Sequence, residues 1–367
     1  MGEELLYKIA LTLVPGVGDV LIRNLIKYCG SPMQIFKEKK HSLLKIPGVG
    51  NKIVNTLHGS IELKRAEREI VFIERNHIKP FFFTDQDYPE KLNYCIDSPA
   101  MLYFKGNVDL NKTKIIGIVG TRQPTEYGKL VTSHLINDLN GKDVVVVSGL
   151  AYGIDILAHT LCLENNISTV GVLAHGLDRI YPGNHSQVAK KMEKNGGLLS
   201  DFLSGTNPDR ENFPKRNRVV AGLCDALVVV ESDLGGGSMI TAEIAHSYNR
   251  DVLAFPGKSN DEKSRGCNLL IKRNKAAMIE SAEDLFYHMN WEQPKVTTVK
   301  KKQLTMPFGL TDEENTIYSY ISEKAKVHFD ELSMYLAMPA SKLSDLLFNL
   351  EIQDFIRVLP GKTYSIN

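Results

Sequence analysis

The stretch Ile115-Ile116-Gly117-Ile118-Val119-Gly120-Thr121-Arg122 decides how the chain reads. Its apolar residues follow one another without polar interruption, which predicts a strand covered on both faces. Gly120 permits a sharp turn, and the mixed polar and apolar pattern over 125–140 predicts a helix. Thr121 and Arg122 then stand where the N-terminal amides of that helix face solvent, a natural site for a phosphate.

The same pattern recurs. Residues 143–147 form a second apolar run, which ends in Ser148-Gly149-Leu150-Ala151-Tyr152-Gly153-Ile154-Asp155 before a helical segment. Residues 168–173 end in Ala174-His175-Gly176-Leu177-Asp178, and 226–230 end in Glu231-Ser232-Asp233-Leu234-Gly235-Gly236-Gly237-Ser238. Residues 251–255 end in Pro256-Gly257-Lys258. Each strand leads into a glycine-bearing polar loop and, except after the third, a clear helix. That order predicts an α/β fold with a Rossmann-like, doubly wound, mostly parallel sheet. The loops gather at one sheet edge, and the crevice there is the expected functional site.

Composition bounds the rest. At 367 residues, 43% hydrophobic and 24% charged, the chain is long enough for two or three domains. The net charge is only +1, so nucleic-acid affinity has to come from local patches. The five cysteines form no CxxC pair, which argues for reduced thiols, with no disulfide framework and no zinc. Gly2 to Leu6 carries two glutamates and no apolar run is long enough to span a bilayer, so a cytoplasmic protein without membrane association is expected.

Residues 1–77 carry an internal repeat. Leu13-Val14-Pro15-Gly16-Val17-Gly18 returns as Lys45-Ile46-Pro47-Gly48-Val49-Gly50, each copy followed by a helical segment. This predicts an all-α helix-hairpin-helix domain, with Gly16, Gly18, Gly48 and Gly50 as candidate contacts to duplex DNA. Lys and Arg outnumber Asp and Glu by 13 to 8 over residues 1–80, which suits backbone contact. The alternative is that the hairpins serve only as packing modules. Residues 78–103 read as an irregular connector opening the second domain (78–289), with Phe81-Phe82-Phe83 packed against the sheet. Residues 290–308, with Lys300-Lys301-Lys302 and little apolar periodicity, read as a linker. Residues 309–367 predict a winged helix with 340–351 in the recognition position. Five basic residues against nine acidic ones there favour a protein contact or regulatory role over DNA binding.

Five motifs carry a resemblance. They are Gly120-Thr121-Arg122, the stretch from Ser148 to Asp155, Phe213-Pro214-Lys215-Arg216-Asn217-Arg218, Gly237-Ser238-Met239-Ile240-Thr241-Ala242-Glu243, and Ser264-Arg265-Gly266-Cys267-Asn268. In order and spacing, residues 83–288 resemble the DNA-processing protein A family (DprA, also called Smf), and the flanking domains look like that family's. The resemblance implies single-stranded DNA binding on the Rossmann-like domain, dimerisation through it, and loading of the RecA recombinase in natural transformation and recombination. It implies that Arg122, Lys215, Arg216 and Arg218 contact DNA. Arginine forks bind phosphate in bidentate fashion, and a groove of such groups follows a strand without reading its bases.

The full candidate set for DNA and phosphate is Gly120, Thr121, Arg122, Ser148, Gly149, Gly153, Asp155, Lys215, Arg216, Asn217, Arg218, Gly236, Gly237, Ser238, Thr241, Lys258, Arg265 and Asn268. Residues 258–275 hold six basic residues against two acidic ones, which predicts a positive rim. For Arg216 and Arg218 the other reading is an ion pair with Asp201 or Asp209 that holds the loop. The glycine-rich Gly235 to Glu243 stretch also resembles the LOG family of nucleotide phosphoribohydrolases, whose counterpart here would use Glu243 as acid/base. The proline that precedes the glycine pair in that family is absent, and no nucleophile and base stand at telling spacing. The expectation is binding without turnover, metal or cofactor.

Overall fold

A computed structural model describes residues 2–59, 63–111, 114–291, 310–324, 326–353, 355–359 and 362–366. The chain divides into two compact units, Met1–Glu292 and Gln293–Asn367. The first opens with α1 (Gly2–Thr12), α2 (Asp19–Cys29), α3 (Pro32–Lys37), α4 (Lys40–Leu43), α5 (Asn51–His58) and α6 (Leu63–Arg75). The repeated hairpin has the expected turn. Gly16 and Gly48 take φ of +83° and +85°, a region that disfavours a Cβ, and Gly18 and Gly50 are the N-caps of α2 and α5.

Strands and helices then alternate: β1 (Lys79–Phe82), α7 (Glu90–Asn93), β2 (Met101–Gly106), β3 (Lys114–Val119), α8 (Glu126–Asp138), β4 (Val144–Ser148) and α9 (Ile154–Glu164). They continue as β5 (Ser168–Leu173), α10 (Ser186–Met192), β6 (Gly196–Ser200), α11 (Asn212–Leu223), β7 (Ala226–Val229) and α12 (Gly237–Ser247). The unit closes with β8 (Asp251–Ala254), α13 (Arg265–Lys272), β9 (Ala277–Met278) and α14 (Ala282–His288). Among the described residues the sheet has nine strands in the order β1-β2-β6-β5-β4-β3-β7-β8-β9. From β6 to β9 the pairs are parallel, while β1–β2 and β2–β6 are antiparallel.

Two expectations change here. Residues 78–103 are not wholly irregular, because their ends form β1 and β2 and extend the sheet past β6. Phe81 pairs with Leu102 and Phe82 with Met101. Alternation along β1 sends Phe81 into the sheet core and Phe82 into the core of the N-terminal helices. The run at 196–200 is a further strand, parallel to β5 and antiparallel to β2, whose opening Gly196-Gly197 hides it from a hydrophobicity pattern. A Cβ on Gly196 would strike the Thr169 carbonyl of β5, and one on Gly197 would strike the Phe104 ring.

Both sheet faces are covered as both-face burial of β3 requires: Ile115 and Val119 pack on one side, Ile116 and Ile118 on the other. The helical core of α1–α6 runs on into Phe82, Ala100, Met101 and Tyr103 of the sheet edge.

The second unit is a winged helix. It contains α15 (Asp312–Lys324), β10 (Val327–His328), α16 (Phe329–Leu336), α17 (Ala340–Ile352), β11 (Ile356–Leu359) and β12 (Thr363–Ile366). Its three strands pair in the order β10-β12-β11 around a core of its own that includes Ile317, Leu332, Leu343 and Leu347. Residues 292–308 of the expected linker lie outside the described residues.

Candidate nucleic-acid interface

Strands β4 to β6 lie on one side of β3, and β7 to β9 on the other. Chain order therefore reverses at β3, and the loops leaving β3 and β7 part beyond the strands' carboxyl ends. A crevice of about 920 Å3 opens there. Its walls are Gly120-Thr121-Arg122 after β3, Gly149 to Tyr152 after β4, His175 and Tyr181 after β5, and Gly235 to Ser238 after β7. Phe213, Arg216 and Asn217 of α11 complete it.

Of the expected residues, Gly120, Thr121, Arg122, Gly149, Asp155, Arg216, Asn217, Gly236, Gly237, Ser238 and Thr241 line this crevice. Arg122 is exposed, forms no ion pair with any described residue, and lies over the Phe213 ring at 5.7 Å. Opposite charge is what such a guanidinium lacks. No side chain caps α12, so its N-terminus at Gly236-Gly237-Ser238 presents the positive end of a helix to the same space.

The turn after β3 is built differently from the expectation. A carboxylate of the chain itself stands at the N-cap of α8. The Thr125 N–H donates to Glu231 Oε2 at 2.9 Å, and the Thr125 hydroxyl accepts from the Gly128 N–H at 3.2 Å. A carboxylate from the end of β7 already occupies that position. Gly153, at φ +83°, packs against the turn from behind, where a Cβ would lie 2.6 Å from Arg122 Cα.

Arg216 is also corrected. It is 5% exposed, and its Nη1 donates to the carbonyls of Gly149 and Val172 at the ends of β4 and β5. Burial pushes its pKa down against the pull of Asp155 and Asp201, and burial likewise raises that of Asp155 against the pull of Arg216. Its Nη1 is committed to the floor of the crevice, where it braces the strand ends.

Arg218 follows the other reading. Its Nη2 pairs with Asp19 at 2.8 Å and Asp201 at 3.1 Å, and its Nη1 donates to the Asp97 carbonyl. Burial opposes its charge, but Asp201 and Asp19 outweigh that and hold its pKa above the ordinary value. Arg218 thus ties α11 to the first hairpin. Lys215, just before the first of the two arginines that turn inward, is exposed.

Several further candidates turn out to shape loops. Ser148 donates its hydroxyl to the Ile118 carbonyl and is fully buried. Asn268 brackets Gly257, accepting from its N–H at 3.1 Å and donating to its carbonyl at 3.0 Å. Lys258 and Arg265 are exposed and stand off the crevice wall, to which, beside Arg122 and Arg216, basic residues are added by Lys263 and Arg210. Sequence reasoning missed those two, and missed Glu231; nothing distinguishes them from surface charge until the loops are placed. Glu243 lies outside the crevice, bound to Lys275 at 2.6 Å. His175 has both ring nitrogens engaged, at the Gly176 carbonyl (2.9 Å) and the Tyr181 N–H (3.2 Å). Among the described residues no helix is long and apolar enough to cross a membrane.

In the N-terminal helices, Gly18 and Gly48 of the two hairpin turns line one notch of about 360 Å3, beside Arg218. Asp19, next to the first turn, accepts from the Ala100 N–H at 2.8 Å and pairs with Arg218, so this turn is anchored to the sheet.

Comparison with known proteins is consistent along most of the chain. Residues 79–290 match the family of DNA recombination-mediator protein A, and residues 303–362 match the DprA winged helix domain. The chain is 36% identical to protein Smf of Synechocystis over 99% of both chains. It is 34% identical to DNA processing protein DprA of Streptococcus pneumoniae, over 69% of this chain and 96% of that one. The X-ray structure of S. pneumoniae DprA superposes with a TM-score of 0.66 at 30% identity, covering 77% of this chain and 97% of that one. A structure of DNA processing protein A from Helicobacter pylori, reported for its single-stranded DNA binding mode, superposes with a TM-score of 0.53 at 30% identity, covering 58% and 96%. With the doubly wound sheet, the crevice motifs and the winged helix all in place, this chain belongs to the DNA recombination-mediator protein A (DprA/Smf) family.

Proposed function

We propose that the chain binds single-stranded DNA in this crevice through its phosphates, in the cytoplasm and without catalytic turnover. The observation that carries the reading is the meeting of an exposed, unpaired Arg122 with the uncapped N-terminus of α12 in one cleft. The aromatic rings of Phe213 and Tyr181, 6.3 Å apart, offer bases an apolar surface beside the phosphate contacts. The strand-binding relative from H. pylori supports the same assignment. The position of Glu243, tied to Lys275 outside the crevice, supports binding over phosphoribohydrolase chemistry.

Lys215 adds an exposed cation next in the chain to Pro214 and Arg216 of the crevice wall, and the second hairpin, around Gly48 and Gly50, is the part of the N-terminal domain that this reading offers to duplex DNA. Family membership extends the proposal to dimerisation through the sheet unit and to loading RecA on the bound strand during transformation and recombination. The test is an oligothymidylate titration over a salt series, with wild type and an Arg122→Ala, Lys215→Ala double variant. Affinity should fall with salt and collapse in the variant, with the log–log slope reduced by about 0.7 per lost phosphate contact. Equal affinity in the two proteins would refute the site.

A further inference from the structure

The two loops that open the crevice are joined by one buried carboxylate. Glu231, directly after β7, is 1% exposed. Its backbone carbonyl accepts from the Thr121 N–H at 2.7 Å. Its Oε2 accepts from the Thr125 N–H at 2.9 Å, and its Oε1 accepts from the Thr125 hydroxyl. Gly128 provides the room, since a Cβ there would overlap Oε2. A helix N-terminus with a small residue above it is where a phosphate would ordinarily settle. Here the chain puts its own anion there from the inside.

We infer that Glu231 is a positioning residue for Arg122, resting on the crevice being the strand site. Glu231 holds the start of the turn through Thr121 and its end through Thr125, so the intervening residues project Arg122 alone into the crevice. It also closes the α8 terminus to nucleic acid and leaves the α12 terminus as the backbone site for phosphate. Its charge acts against DNA, but that charge faces hydrogen-bond donors from Thr125, while the bonds act on an arginine that forms no ion pair with any described residue. Positioning therefore outweighs repulsion.

Strand titrations with Glu231→Ala, Glu231→Gln, Arg122→Ala and the Glu231→Ala, Arg122→Ala pair test this. The glutamine can accept from the Thr125 N–H and donate to its hydroxyl, so it keeps the geometry without the charge. Glu231→Ala should bind roughly tenfold more weakly, about the worth of one charge-assisted hydrogen bond, with the salt slope lowered as in Arg122→Ala. Glu231→Gln should stay within about threefold of wild type, and Glu231→Ala should cost nothing more once Arg122 is gone. Equal loss in both backgrounds, undiminished binding by Glu231→Ala, or a glutamine variant as weak as the alanine would each overturn the inference. Should Glu231→Ala fail to fold, Thr125→Val removes the hydroxyl from the other side and is read in the same way. Arg122→Ala binding like wild type would instead overturn the crevice itself.

Discussion

Replacing Arg216 by alanine should cost the sheet unit much of its stability, although the motif around it reads as a DNA contact. Two buried carbonyls, Gly149 and Val172, lose their donor, at about 1–3 kcal/mol for each group left unsatisfied. Asp155, 7% exposed, also loses the nearby cation whose field offsets its burial. These terms overlap because they share one guanidinium, so the sum is not theirs to claim, and a net loss of about 3–5 kcal/mol is expected. Trp291 is the only tryptophan in the chain and packs on Phe286 at 5.8 Å, so its fluorescence follows unfolding of this unit in urea. Exposed Lys215 supplies the control. Its alanine variant should move the same transition by less than about 0.5 kcal/mol, as surface changes do. An Arg216→Ala loss below about 1 kcal/mol would refute the brace.

Three further expectations follow from the same geometry. Gly153→Ala places a Cβ against the Thr121 carbonyl at a backbone φ of +83°, so strand affinity should drop while the winged-helix unit keeps its own melting transition; unaltered affinity would show that the turn tolerates the shift. Burial pushes the His159 pKa down to about 3 from 6.5, so the unfolded chain takes up a proton between those values that the folded chain does not. The stability this group contributes is complete above pH 6.5 and falls with pH at up to about 1.4 kcal/mol per unit, and His159→Asn should flatten that slope in urea titrations at pH 7 and 5.5. Glu243→Gln should leave strand binding within about twofold of wild type, because it breaks only a half-exposed surface pair with Lys275, and a larger loss would bring that face of α12 into the interface.

How much of this was legible in the chain depends on the range of the interaction. The run from Ile115 to Val119 announces a strand because both-face burial demands apolar residues at successive positions, and Gly120 marks its turn because the backbone must bend there. The hairpin glycines at 16 and 48 are readable for the same local reason, a φ that side chains disfavour. Strand β1 carries Pro80 and β6 opens on two glycines, and each exists because a distant partner pairs with it, so neither has a pattern of its own. The site divides along that line. Residues alone mark Gly120, Arg122 and the glycines at 236 and 237 as crevice chemistry, since turn geometry and helix termini are local properties. Lys215, Arg216 and Arg218 are alike in sequence, and only tertiary structure decides that one faces solvent, one braces β4 and β5, and one holds Asp19. Whether a cation meets water, a carbonyl or a carboxylate is set by what other parts of the chain bring beside it, as Glu231 does for the turn that carries Arg122.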